Sequence, residues 1–188
     1  MDVAILIGLG LGVVVIVAVV GMYNGLVRAR AHAEESWSNV STELQRRHDL
    51  IPNLVNTVKG YASHEKELLE GIVALREKAE ALRPGEATSE QLEVESRLGT
   101  MLGQLSVRLE AYPDLKASSN FQQLQTELAH TEDRVQQANR YYNGNVRVYN
   151  VKCETIPTNI IANLFNFSKK QYFELRDEAA RDAPTVAF

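Results

Sequence analysis

One cysteine, Cys153, serves the whole chain, so no disulfide can close within it. That scarcity fits a reducing compartment, and a lone thiol reads first as a small apolar core residue. Sustained two-residue alternation with β-branched enrichment is missing, which leaves no strand to place. No G-x-S-x-G, P-loop or Gly-rich phosphate turn occurs. The four histidines, His32, His48, His64 and His130, lack the spacing of metal ligands. His64-Glu65 has no second His one turn on, so these residues read as surface or interfacial. Net charge is −4 and no basic face stands out, which argues against a nucleic-acid partner. With no nucleophile, base and orienting group set together, the chain is expected not to be an enzyme and to carry no cofactor and no metal.

What the chain does have is an unbroken apolar run, Val3 to Val20, at its start. In helical form such a run spans roughly 27 Å, close to the ~30 Å hydrocarbon core of a bilayer. A cleaved signal peptide would carry a basic n-region and a small-residue cleavage site. No Lys or Arg precedes the run, and Val20 is too large in Ala18-Val19-Val20-Gly21. The expectation is therefore a retained transmembrane anchor. Arg28 and Arg30 follow the run, with Arg46 and Arg47 further on, so the body is expected in the cytoplasm of a bacterium and the N-terminus outside the inner membrane.

The remainder reads as helix. Apolar residues recur at steps of three and four in four runs. The first is Ala33, Trp37, Val40, Leu44. The second runs from Ile51, Leu54, Val58 and Tyr61 through Glu65 to Leu68, Ile72, Leu75, Ala79 and Leu82. The third is Leu98, Leu102, Leu105, Leu109, Tyr112. The fourth is Phe121, Leu124, Leu128, Thr131, Val135, Ala138, Tyr142, with Tyr149 a heptad beyond. Such seams belong to helices packed at small crossing angles. Capping and breaking residues place the helices near 24–48, 50–82, 89–111 and 119–154. Asp49 is a possible cap, Pro52 a first-turn residue, Arg83-Pro84-Gly85 a stop, and Thr88 or Ser89 a cap for the third helix. One join stays open, because the register passes from Leu44 through Arg47 to Ile51 without slipping. Either a tight turn or a kinked continuous helix at 46–52 would give that.

Several blocks together resemble one family. They are RRHDLIPNLV (Arg46–Val55), KGYASHE (Lys59–Glu65), AYPDLKAS (Ala111–Ser118), the pairs Tyr142-Asn143 and Tyr149-Asn150, and FNFSKKQYF (Phe165–Phe173). The chain resembles the LemA family of bacterial membrane proteins from the anchor to about Glu174. The resemblance implies a single-span anchor and a bundle of about four helices, and it favours a break near His48–Pro52. It implies no reaction, and it links relatives to the biogenesis of membrane compartments. The expected fold is all-α: a transmembrane helix (1–22), an antiparallel bundle of about four long helices as the LemA-like domain (23–155), an aromatic C-terminal arm (156–176) and a polar tail (177–188).

Candidate contact residues follow. Gly8 and Gly12, and again Gly21 and Gly25, are spaced for close helix approach in lipid, pointing to self-association. Arg46, Arg47 and Asp49 form the densest charged block. They read either as a docking patch or as an ion-pair network at a helix junction with Asp114, Glu110 or Glu132. Tyr142 and Tyr149 share a stripe and suit core packing with satisfied hydroxyls, or contact between subunits. Phe165, Phe167, Tyr172 and Phe173 are too many aromatics to leave in water. They fold back on the bundle, dock on a neighbouring subunit or rest at the membrane interface. Glu65 and Thr131 interrupt seams, either as buried register-setting groups or as residues open to solvent.

The expected function is a single-pass, self-associating helical scaffold that organises or shapes membrane, with lipid and further copies of the chain as partners. The rival expectation is an adaptor that binds a membrane protease or another envelope-stress partner.

Overall fold

The computed structural model describes residues 3–82 and 87–174, and among these there is no strand. The helices are α1 (Val3–Lys59), α2 (Lys66–Ala81), α3 (Ser89–Leu109), α4 (Pro113–Lys116), α5 (Ser119–Glu154) and α6 (Thr158–Leu164), with a 3-10 turn at Ser63–Glu65 before α2. The all-α expectation holds: a long apolar N-terminal helix is followed by antiparallel helices joined by short connections.

Of the two readings left open at 46–52, the continuous helix is the one seen, against the break that the family resemblance favours. α1 does not break at 46–52; it runs through Pro52 to Lys59 as one helix. Asp49 is consequently not a cap but an interior residue, whose Oδ1 accepts from Gln45 Nε2 at 2.6 Å. Proline inside a helix leaves the carbonyl four residues back without its donor. Here that carbonyl is His48 O, and Arg76 Nε of α2 supplies the hydrogen bond at 3.0 Å. The break falls instead after Lys59. Gly60, a poor helix former, follows, and Val58 O accepts from both Tyr61 N (3.0 Å) and Ala62 N (2.9 Å). Thr88, one of the two caps expected for the third helix, accepts from Gln91 N to open α3. The Arg83-Pro84-Gly85 stop and the 177–188 tail lie outside the described residues.

The chain divides into two compact units, and α1 and α5 each contribute to both. The larger comprises 37–140 with 173–174 of the arm among the described residues. Its core draws Ile51, Leu54 and Val58 from α1, Leu69 and Ile72 from α2, Leu98, Leu105 and Leu109 from α3, and Phe121 and Leu124 from α5. Burying each such side chain contributes about 1.5–3 kcal/mol. Trp37 is also buried here, with the Phe173 ring edge-on at 6.2 Å. The smaller unit comprises residues 3–36 and 141–172. Leu26, Ala29, Tyr149, Ile161, Ala162 and Phe167 form its core. Every residue from Ile5 to Ala18 is exposed.

Candidate functional site

Three polar constructions stand out, and each is built from residues that a seam or an aromatic cluster brings inward.

The first is a buried charge cluster in the larger unit. Arg47 occupies the seam position between Leu44 and Ile51, so the helix turns its guanidinium inward. Arg47 Nη2 donates to Glu95 Oε2 at 2.8 Å and to Glu95 O at 3.2 Å, while Nη1 reaches Glu132 Oε2 at 3.2 Å. His48 Nε2 stands 3.1 Å from the same Glu95 Oε2. The side chains of Arg47, His48 and Glu95 are each 1% exposed. Gly99 adjoins the guanidinium: a Cβ there would stand in ordinary contact, 3.4 Å from Arg47 Nη1. Burial alone pushes the Glu95 carboxyl upward. The His48 hydrogen bond and the charge of Arg47 outweigh it and hold the group below the usual carboxylate range. A carboxylate on an imidazole is the beginning of a general base, and here the ring is buried away from solvent. Its physical effect is to make one register of α1, α3 and α5 far better than a shifted one, which would strand unpaired charge.

The second construction is at the 3-10 turn. Glu65 is buried, accepting from Arg108 Nη1 at 3.0 Å and from the Tyr112 hydroxyl at 3.4 Å. Of the two readings left open for Glu65, the buried one is seen. Thr131 is buried too, with its hydroxyl donated to Glu127 O at 2.8 Å.

The third is a clasp that holds the aromatic arm against α5 in the smaller unit. Tyr149 donates its hydroxyl to Ser168 O at 2.8 Å, and Tyr142 donates to Gln171 O at 2.9 Å. Asn150 grips Lys170 twice: Nδ2 donates to its carbonyl and Oδ1 accepts from its N–H, both at 2.9 Å. Burial and the neighbouring Cys153 thiol push the Tyr149 phenol well up, so this hydroxyl remains a donor throughout the physiological range. Tyr23 meets Phe165 edge-on at 4.8 Å and Phe167 at 5.7 Å, and the Arg30 guanidinium lies over the Phe167 ring at 5.2 Å.

The sequence-derived candidates thus separate. Arg47 is enclosed, which removes it from any docking face, and its acidic partners are Glu95 and Glu132. Glu110 pairs with Lys116 instead. Arg46 is exposed beside Glu43, and Asp49 is exposed. Tyr142, Tyr149, Phe167 and Phe173 are buried within the chain, whereas Phe165 and Tyr172 remain half exposed. Gly8, Gly12 and Gly21 have open space where a Cβ would stand, but Gly25 faces Lys152, whose Nζ donates to its carbonyl at 3.4 Å. His48 corrects the surface assignment of the histidines. Among the described residues, no group of three or more His, Cys, Asp or Glu is arranged to hold a metal ion.

Sequence reasoning missed Glu95 and Gln91 as buried groups. A signal existed: stepping back from Leu98 by three and then four places Glu95 and Gln91 on the Leu98–Leu109 seam.

Apolar seams, a sealed charge cluster and an N-terminal helix long and apolar enough to cross a membrane define a helical-bundle protein with a lipid-compatible leading segment. Residues 36–188 match the LemA family. The chain belongs to that family. It is 27% identical to Protein LemA of Metamycoplasma hominis over 88% of this chain and 75% of the relative. It is 25% identical to Magnetosome protein MamQ of Magnetospirillum gryphiswaldense, covering 87% of this chain and 68% of the relative. It is 26% identical to Magnetosome protein MamQ 2 of Paramagnetospirillum magneticum, over 94% and 73% of the two chains.

Proposed function

We propose that this chain is a single-pass membrane protein whose helical body self-associates into a scaffold that organises or shapes membrane. The observation that carries the reading is the apolar stretch Ile5–Ala18, which nothing among the described residues covers. A water-soluble protein would leave that surface at a cost of about 25 cal/mol per Å2, and a bilayer removes it. Family membership and the magnetosome proteins among the relatives support membrane association. The open faces at Gly8 and Gly12 support contact between anchors of two copies.

In this reading the protein sits in the bacterial cytoplasmic membrane. Arg28 and Arg30 hold the bundle on the cytoplasmic side and leave the N-terminus outside. The activity is assembly rather than a reaction, its partners are lipid and further copies of the chain, and nucleic acid has no part in it.

The test is the mass of the full chain in mild detergent, with circular dichroism confirming that the bundle stays folded. A multimer that dissociates on Gly8→Ile with Gly12→Ile is the expected result. A folded particle of strictly monomeric mass overturns the scaffold.

A further inference from the structure

α6 and the turn before it form an apolar surface that the described residues leave uncovered. Ile160 and Leu164 lie one turn apart on α6, 61% and 69% exposed, and Ile156 on the preceding turn is 81% exposed. The opposite face, Ile161 and Ala162, is buried. That underside packs in the same cluster as Leu26 and Ala29 of α1, against which Val19 and Met22 also rest. Val19 is the last residue but one of the Val3–Val20 apolar run, so α6 is fastened where the leading helix would leave the hydrocarbon.

Composition points the same way. From Thr155 to Ser168 there is no Asp, Glu, Lys or Arg, in a chain where 23% of residues are charged, and a segment of that length would ordinarily hold about three. The charges begin at its edges, where Glu154 and Lys169 pair at 2.7 Å. Tyr23 and Phe165, packed edge to face and partly exposed, stand beside it as interfacial aromatics do. Arg28 is exposed one turn further along α1.

We infer that the Ile156–Ile160–Leu164 face is a second lipid contact, seated at the boundary between headgroups and acyl chains beside the anchor. The inference rests on the membrane reading of α1. A soluble partner would be expected to meet polar and charged groups around an apolar centre. This face instead presents uncharged residues throughout and continues onto a segment already suited to lipid. An interfacial helix of this kind gains from shallow burial of its apolar face without spanning. Together the two contacts would hold the membrane-proximal end of the smaller unit at a set depth.

The test uses the full chain with Cys153→Ser, carrying one cysteine labelled with an environment-sensitive fluorophore at Val13→Cys, Ile160→Cys or Val107→Cys. Each protein is reconstituted in vesicles of phosphatidylcholine with a minor share of phosphatidylglycerol. It is then exposed to a quencher on the upper acyl chain or to a water-soluble quencher. Position 107, exposed in the larger unit, serves as the aqueous reference. Lipid quenching that removes most of the emission at 13 and 160, with 107 quenched only from water, is expected. Quenching of 160 from water while 13 is quenched from lipid overturns the contact and leaves the anchor standing. Failure of lipid to quench 13 overturns both. Shielding of 160 from both quenchers overturns the contact in favour of a second copy covering this face.

Discussion

Arg76 donates from Nε to the main-chain oxygen of His48, the carbonyl that Pro52 leaves without a helical partner. One side chain of α2 thereby repairs α1 and ties the two helices together, while its Nη2 reaches Glu80 at 3.0 Å. An orphaned buried carbonyl costs about 1–3 kcal/mol. Arg76→Met is therefore expected to destabilise the fold by about that amount, measured by urea unfolding. Pro52→Ala restores the N–H, and in that background the loss from Arg76→Met is expected to shrink. Equal losses in both backgrounds would detach Arg76 from the proline.

The charge cluster makes stability pH-dependent. Glu95 is held below the usual carboxylate range when folded. The stability it contributes is thus complete above its unfolded pKa, about 4.3, and lost as pH falls through the folded value. Urea midpoints taken downward from neutral pH are expected to fall with a steeper slope in the natural chain than in Glu95→Gln. At neutral pH that substitution leaves Arg47 short of a buried counter-charge and is expected to cost about 3–5 kcal/mol, the range for breaking one side of a buried pair. Parallel slopes in the two proteins would remove Glu95 from the acid transition.

Two glycines of α3 offer a graded test of the space around Arg47. Gly103 has nothing within 4 Å of a built Cβ, so Gly103→Ala is expected to stabilise by up to about 1 kcal/mol through helix propensity alone. At Gly99 the methyl of alanine meets Arg47 Nη1 at 3.4 Å, and a larger side chain must displace it. Gly99→Leu is expected to be destabilising by about 1–3 kcal/mol, with thermal melting as the readout.

The clasp predicts where the arm comes loose. Asn150→Leu removes both bonds to the main chain of Lys170. Hydrogen exchange at residues 168–172 should accelerate while the core of the larger unit stays protected. Tyr149→Phe removes the bond to Ser168 O together with the weaker contact to the Cys153 thiol and is expected to cost about 1 kcal/mol. Uniform acceleration across the chain would show that the arm is part of one cooperative unit.

Much of this architecture was legible because burial follows the three-four period. Ala33, Trp37, Val40 and Leu44 are all buried, as are Phe121, Leu124 and Val135. Thr88 declared itself by its side-chain chemistry. The join at 46–52 was not legible, because the carbonyl that Pro52 frees is satisfied by Arg76, a donor far away in sequence. The true break at Gly60 was masked by a seam that continues in register from Val58 through Glu65 to Leu68. Polar residues at seam positions hid the cluster: Arg47 and Glu95 look like interruptions singly and acquire meaning only as a pair. Glu132, outside the seam and 38% exposed, completes it from the edge.

The Asn150 amide treats Lys170 as an adjoining strand would, reading the N–H and the carbonyl of one particular residue and no other. The stretch from Thr155 to Lys169 is therefore a tether with a single serviceable length. Inserting or deleting one residue there would deliver the wrong peptide to Asn150 and the wrong carbonyl to Tyr149.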